Sequence, residues 1–273
     1  MENLNKKALK EAKKLIYSEK DHKKIFTLGE IRVERVYARY PTSTKDILRG
    51  ISVRIPAGQK VGIVGRTGAG KSSFIRLLWR ILDYSEGSIK IDGSEITSIG
   101  LKNLRREFNI ILQDPALFEG TIRSNIFVSE GPDYQPDDLL VQKIKAELLE
   151  LGFPKDKADF GRLEFPVDAG GENLSQSEKQ VISMVQALQK DSKVIILDEP
   201  TAYVDSSVAD KFQAKLLTRF PDSTVLIIAH RLRSIIDCER VLVFNDGVIE
   251  EDGSPRWLVE TQKGLFWEMW NSQ

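Results

Sequence analysis

Hydrophobic and polar positions change their period several times along the chain. Residues 1–24 place Leu4, Ala8, Leu9, Ala12, Leu15 and Ile16 at helical spacing, and eight lysines against four acids fill the rest. Two readings of that helix stay open: a solvated helix, or one lying near an anionic membrane surface or leading out of a membrane domain. Gly29 marks its end. Ile31-Arg32-Val33-Glu34-Arg35-Val36-Tyr37 then alternates apolar and charged residues, the period of an antiparallel strand with one face buried. Tyr40-Pro41 ends it. Ile51-Ser52-Val53-Arg54-Ile55 alternates again. Pro56-Ala57-Gly58 turns the chain into Lys60-Val61-Gly62-Ile63-Val64, an apolar run that predicts a strand buried on both faces. Phe74 to Trp79 return to helical spacing. Ile89-Lys90-Ile91 leads into the turn signal Asp92-Gly93, and Phe108 to Leu112 reads as another buried strand.

From Thr121 to Gln189 the strand signals stop, and helical patterns such as Leu139-Leu140, Ile144 and Leu148-Leu149 replace them. Strands resume at Val194 to Leu197, Thr224 to Ala229 and Arg240 to Phe244, and Asp246-Gly247 turns the last of these into Val248-Ile249-Glu250. Leu265 to Trp270 form an aromatic-rich amphipathic helix, expected to dock on the core. The pattern predicts an α/β fold. A basic helical lead covers residues 1–28. A domain over 29–273 carries an antiparallel β-subdomain at its N-terminal side and an inserted α-helical subdomain at about 114–190.

Composition narrows the class. The 273 residues are 41% hydrophobic and 29% charged, enough to build a substantial core. Forty basic residues balance forty acidic ones, so no global field points to nucleic acid. A single cysteine, Cys238, excludes an intrachain disulfide framework. No apolar run approaches the length that spans a bilayer, and the lysine-rich N-terminus lacks the apolar stretch of a signal peptide.

Two clusters carry chemistry. Gly65-Arg66-Thr67-Gly68-Ala69-Gly70-Lys71-Ser72-Ser73 sits between a predicted buried strand and a predicted helix, the setting of a phosphate-binding P-loop. Glycines let the backbone turn so that its amides face an anion at a helix N-terminus. Lys71 would reach the β- and γ-phosphates, and the Ser72 hydroxyl would ligate Mg²⁺. Chance yields this pattern in roughly one chain in a hundred of this length, before the flanking elements are counted. The second cluster is Asp198-Glu199, two carboxylates at the C-terminal end of a buried strand, where open α/β sheets bind ligands. Asp198 would hold Mg²⁺ mainly through water, and Glu199 would polarise the water that attacks the γ-phosphate.

Together these residues resemble the nucleotide-binding domain of an ATP-binding-cassette (ABC) transporter, in that family's motif order from residue 29 to about 260. The resemblance implies a P-loop NTPase core that binds ATP and Mg²⁺. It implies ATP hydrolysis coupled to export across a membrane, with weak activity in the isolated domain. It also implies a place on the cytoplasmic face of a membrane, reached through transmembrane domains outside this chain. The alternative it leaves open is a regulatory ATP-dependent dimerisation switch with little hydrolysis. Tyr40, 25 residues before Gly65, resembles the aromatic that stacks on adenine. Gln113 resembles the glutamine that contacts Mg²⁺ and the attacking water. His230 resembles the histidine that bonds the γ-phosphate and steadies Glu199. Asp205 resembles the loop residue that crosses to a partner domain.

The family's signature is Leu-Ser-Gly-Gly-Gln at the start of a helix, where the serine and backbone amides bind ATP held by the other domain. Here Leu174-Ser175 is kept, but Gln176, Ser177 and Glu178 follow. At about 6 Å from a phosphate, with an effective dielectric near 20, a Glu178 carboxylate facing it would add roughly 2–3 kcal/mol of repulsion per unit charge. A helix N-terminus would offset part of this. The expected partner is therefore a second, non-identical nucleotide-binding domain with an intact signature. Val61 to Ser73, Leu117 to Ile126 and Gly170 to Ser175 resemble the second such domain of multidrug-resistance-associated-protein-type (subfamily C) exporters. Pro200 departs from the alanine usual there.

Overall fold

The computed structural model describes residues 24–131, 133–229 and 231–273, so the lysine-rich helix read at the N-terminus lies outside the described residues. The chain runs through β1 (Ile31–Ala38), β2 (Leu48–Ile55), β3 (Lys60–Gly65), α1 (Lys71–Leu78), β4 (Tyr84–Ile91), β5 (Ser94–Glu95), α2 (Leu101–Glu107) and β6 (Phe108–Ile111). It continues through β7 (Gly120–Thr121), α3 (Ile122–Ile126), α4 (Asp138–Glu150), α5 (Lys155–Ala158), β8 (Pro166–Val167) and α6 (Gln176–Gln189). The last elements are β9 (Val194–Asp198), α7 (Ser206–Arg219), β10 (Thr224–Ile228), β11 (Arg240–Asn245), β12 (Val248–Gly253), α8 (Pro255–Glu260) and α9 (Gly264–Asn271).

A four-stranded sheet has the order β2-β1-β4-β5, and a six-stranded sheet has the order β12-β11-β3-β10-β9-β6. Strand β3 lies parallel to both β10 and β11, and β12 returns antiparallel along β11. Val61, Ile63, Val225, Leu226 and Ile195 are fully buried, as continuous apolar runs in parallel strands must be. Strand β1 instead buries one face: Ile31, Val33, Val36 and Ala38 point inward. Its alternation breaks at Glu34-Arg35, and the pairing with β2 and with β4 shifts register there. Arg35 takes φ 47° and its amide donates to Ser52 Oγ at 2.9 Å. The extra polar residue is a β-bulge. Asp92-Gly93 and Asp246-Gly247 both have positive φ at both residues and close two-residue hairpins, as their sequence predicts.

Two compact units emerge. Of the described residues, one comprises those up to Asn109 with Ser192–Leu197 and Asp222–Gln273, and the other Ile110–Asp191 and Asp198–Pro221. The second unit is built on α6, which packs against α3, α4 and α7. Ile122, Ile144, Leu148, Ile182, Val185 and Leu216 fill its core. It also holds one short ladder, Gly120 against Val167 and Thr121 against Pro166, where the sequence pattern predicts no strand. Two residues are too few to show a period. Among the described residues no helix is long and apolar enough to cross a membrane.

In the first unit the segment ahead of β1 is clamped by one side chain. The Asp92 carboxylate accepts hydrogen bonds from four successive amides: Thr27 (2.8 Å), Leu28 (2.9 Å), Gly29 (2.9 Å) and Glu30 (2.8 Å). Phe26 is buried edge-on against Phe108, with ring centroids 5.4 Å apart, and its amide donates to Glu107 at 3.1 Å. Asp92→Asn keeps a residue that tolerates positive φ but removes the charge and one acceptor. It should lower the unfolding free energy by about 1–3 kcal/mol, read by urea denaturation. It should also speed proteolysis near residues 25–30. Unchanged stability and unchanged cleavage would show that the clamp contributes nothing.

Candidate functional site

In the first unit, β3 delivers the chain to Gly65, whose φ is 147°. A Cβ there would run into the Phe244 carbonyl of β11, so only glycine passes. Gly70 stands at the start of α1 with φ 107°, and a Cβ there would lie 2.8 Å from the Leu48 side chain. Arg66, Thr67, Gly68 and Ala69 bridge the two, closed by the Ala69 amide on the Arg66 carbonyl at 3.1 Å. The N-cap residue of α1 is Gly70, which offers no side chain to cap the first turn. Lys71 is buried, and its ammonium folds back on the loop, 2.7 Å from the Gly65 carbonyl and 3.1 Å from that of Arg66. A Cβ on Gly68 would meet nothing within 4 Å, so the loop is open on that side. Ser72 is half-buried and Ser73 buried in the first turn of α1. Uncapped amides, a buried ammonium and an open loop make an anion cradle, and these residues fit the polyphosphate of a nucleotide.

Tyr40 is brought to the same place. Its hydroxyl lies 3.0 Å from Ser73 Oγ and accepts a hydrogen bond from Arg76 Nη1 at 2.8 Å. Arg66 makes a loose ion pair with Glu268 of α9 at 3.8 Å.

The second unit holds Gln113, Ser175, Asp198 and Glu199. Gln113 is exposed in the loop after β6. Its neighbour Asp114 accepts a hydrogen bond from the Tyr203 hydroxyl at 2.9 Å, which pushes the Tyr203 phenol pKa up. Asp198 ends β9 half-buried. Glu199 sits at φ 51°, a left-handed conformation that costs a non-glycine residue about 1–3 kcal/mol and that clusters at functional sites. Asp205 caps α7, accepting from the Val208 amide at 2.9 Å. His230 lies outside the described residues.

The signature region corrects one expectation. Glu178 does not project its charge outward. Ser175 Oγ accepts from the Glu178 amide at 3.2 Å, and Glu178 Oε2 accepts from the Ser175 amide at 2.7 Å, a reciprocal capping box. Glu178 Oε1 takes the Lys157 ammonium at 2.5 Å, and that ammonium also lies 5.4 Å from the Phe165 ring centroid. The repulsion calculated for an outward carboxylate therefore does not apply. Gln176 and Ser177 are the exposed replacements. Lys157 and Arg76 have roles that the sequence reading did not assign. Arg76 had a weak signal, standing one helical turn after Ser73. Lys157 had none, since it lies 21 positions from Glu178.

Burial pushes the Glu178 carboxyl up, but the hydrogen bonds from Lys157 and Ser175 outweigh it and hold the pKa below its ordinary 4.5. The unfolded chain thus takes up the proton first as pH falls. The stabilisation is full above the ordinary carboxylate range and is lost as pH drops through the lowered folded value. Glu178→Gln keeps a capping-box side chain and removes only the charge. At neutral pH it should destabilise by about 1–3 kcal/mol, below the usual cost of a broken buried pair because Lys157 retains access to water. In thermal melts the gap to the parent should close as pH falls through the lowered folded value. A gap independent of pH would overturn the ion-pair account.

Residues 48–202 match the family profile described as ABC transporter. ABC transporter C family member 12 of Dictyostelium discoideum is 40% identical over 243 residues, covering 87% of this chain and 18% of that protein. ATP-binding cassette sub-family C member 3 of Homo sapiens is 41% identical over 241 residues, covering 88% of this chain and 15% of that protein. The chain thus spans less than a fifth of the length of these relatives. A bacterial Atm1-family ABC exporter solved with ATP bound superimposes with a TM-score of 0.81 at 29% identity, over 95% of this chain and 44% of that one. With the strand–glycine loop–helix cradle in place and the mixed sheet around it, the chain belongs to the ABC transporter family, as a nucleotide-binding domain related to those of subfamily C.

Proposed function

We propose that this chain binds Mg-ATP in the Gly65–Ser73 loop and hydrolyses it as one member of a pair of nucleotide-binding domains that drives export across a membrane. The observation that carries the reading is the uncapped N-terminus of α1, closed around a buried Lys71. In this reading the loop amides and Lys71 hold the phosphates, and the half-buried Tyr40 ring faces the adenine. Ser72, and Asp198 and Gln113 by the family resemblance, would hold Mg²⁺, which would supply charge neutralisation at the phosphates. Glu199 takes the proton of the attacking water, and His230 steadies the γ-phosphate end. The transmembrane domains lie outside this chain, and the domain works at the cytoplasmic face. Binding is tested by calorimetry. Lys71→Ala should weaken Mg-ATP by at least about tenfold, the value of a charge-assisted contact. Glu199→Gln should keep the affinity and lose most hydrolysis. Parental affinity in the first, or parental turnover in the second, would overturn the corresponding role.

The partner in this reading is a different domain with an intact signature. Gln176 and Ser177 put exposed side chains at the first two positions of α6, where the family's glycines admit a phosphate to the backbone. Two identical copies would then each offer sound Walker residues and an obstructed signature. The isolated domain should hydrolyse ATP slowly, with little dependence on its concentration. Gln176→Gly with Ser177→Gly should raise the rate and make it second order in protein. Adding Glu178→Gln should add little, since Lys157 already balances that charge. Brisk second-order turnover by the parent, unchanged by these substitutions, would rule out the requirement for a different partner.

A further inference from the structure

We propose that Arg76 is a positioning residue for the nucleotide: it tethers Tyr40 to α1 and, through Tyr40, orients the Ser73 hydroxyl. The proposal rests on the nucleotide-binding reading above and assigns to that site a residue outside the glycine loop.

The argument is one of hydrogen-bond direction. A guanidinium has donors and no acceptor, so in the 2.8 Å contact the Tyr40 oxygen accepts from Arg76. Between Tyr40 and Ser73, 3.0 Å apart, either hydroxyl can donate. If Ser73 donated, the phenol oxygen would take two bonds and its own hydrogen would need a further acceptor. If Tyr40 donates, the hydrogen left over is that of Ser73, at the start of α1, rather than that of Tyr40. Donation from a cation also polarises the phenol O–H and makes it the better donor. The relay therefore runs Arg76 to Tyr40 to Ser73. It leaves the Ser73 hydrogen to point away from Tyr40. Ser73 is 7% exposed and stands in the first turn of α1, whose N-terminus has no side-chain cap. An oriented hydroxyl there adds one donor to the anion cradle.

The same tether fixes the ring. Tyr40 lies beyond the end of β1, in the stretch before β2 that forms no regular structure. Neither a strand ladder nor a helix holds it. A turn closes on it, the Ser43 amide donating to the Tyr40 carbonyl at 2.9 Å, and the hydroxyl, bonded at two points to one face of α1, adds the side-chain tether that holds the half-buried ring beside the loop. Arg76 and Ser73 are three residues apart on that helix, so they share a face and can grip one oxygen between them. Aromatic rings are effective contact surfaces because little freedom remains to be lost when they are held in advance. Arg76 thus serves both ends of a nucleotide, the base through the Tyr40 ring and the phosphates through Ser73.

The experiment is calorimetry with two probes, Mg-ATP and Mg-tripolyphosphate, the second lacking any base. Arg76→Met should weaken ATP by about three- to tenfold, the worth of a partly exposed charge-assisted bond. It should weaken tripolyphosphate by less, because only the Ser73 part is lost. Tyr40→Phe keeps the ring and breaks the relay, so it should match Arg76→Met. The double variant should be no worse than either, since both remove one linked interaction. Arg76→Lys keeps a donor and should recover most of the affinity. Arg76 is exposed, so thermal melts should show all four variants folded. Unchanged ATP affinity in Arg76→Met, additive losses in the double variant, or equal losses for ATP and tripolyphosphate would each overturn the proposal. A parent chain that binds neither probe would overturn the nucleotide reading itself and this proposal with it, a result distinct from a parent that binds ATP while Arg76 is silent.

Discussion

The first unit depends on the way three backbones meet where β3 ends. Gly65 passes so close to the Phe244 carbonyl that no side chain fits, and Gly70 lies against Leu48 and the Ile47 carbonyl. The Asp246-Gly247 hairpin closes the third side. The Gly247 amide donates to the Ala69 carbonyl at 3.0 Å, and the Arg49 amide donates to the Gly247 carbonyl at 2.8 Å. The phosphate loop is therefore held by the start of β2 and by the turn between β11 and β12. Strand β3 supplies the anchor, because it is hydrogen-bonded on both edges by parallel strands and buried on both faces. A loop fixed in this way presents its amides before any ligand arrives, and binding then costs little ordering.

Much of this was legible in the sequence because it is local. The period of two in β1, the continuous apolar runs of β3, β9 and β10, and the two Asp-Gly turns each depend on neighbouring residues. So does the glycine spacing of the loop. The features that were not legible depend on residues brought together from a distance. The bulge at Arg35 needs Ser52 and a register shift against two strands. The clamp at Asp92 joins residues more than sixty positions apart. Tyr40 and Arg76 are separated by 36 positions. Composition also misled in one place. An acid at position 178 suggests a charge facing outward until the base that pairs with it is known. The helical subdomain drawn at about 114–190 from the loss of strand signals compares with a compact unit that also takes in α7.

The two helices that the proposed function assigns to nucleotide binding differ in how their N-termini are satisfied. Helix α1 follows a glycine and has no side-chain cap. Helix α6 carries a complete capping box, in which Ser175 takes the Glu178 amide and Glu178 takes the Ser175 amide. A helix N-terminus presents four amides without intrahelical partners, and each one capped internally is one fewer for an incoming anion. Glutamate serves the box as well as glutamine would, and Lys157 removes the penalty of its charge. The change at 178 is thus the mild one in this signature. The weight of the divergence falls on Gln176 and Ser177, whose side chains stand exposed on the first turn. One helix start is left open and charged by a buried lysine, while the other is self-satisfied and lined with side chains. That difference is what supports the proposed pairing, in which this chain contributes its glycine loop to a working site and takes its signature from another domain.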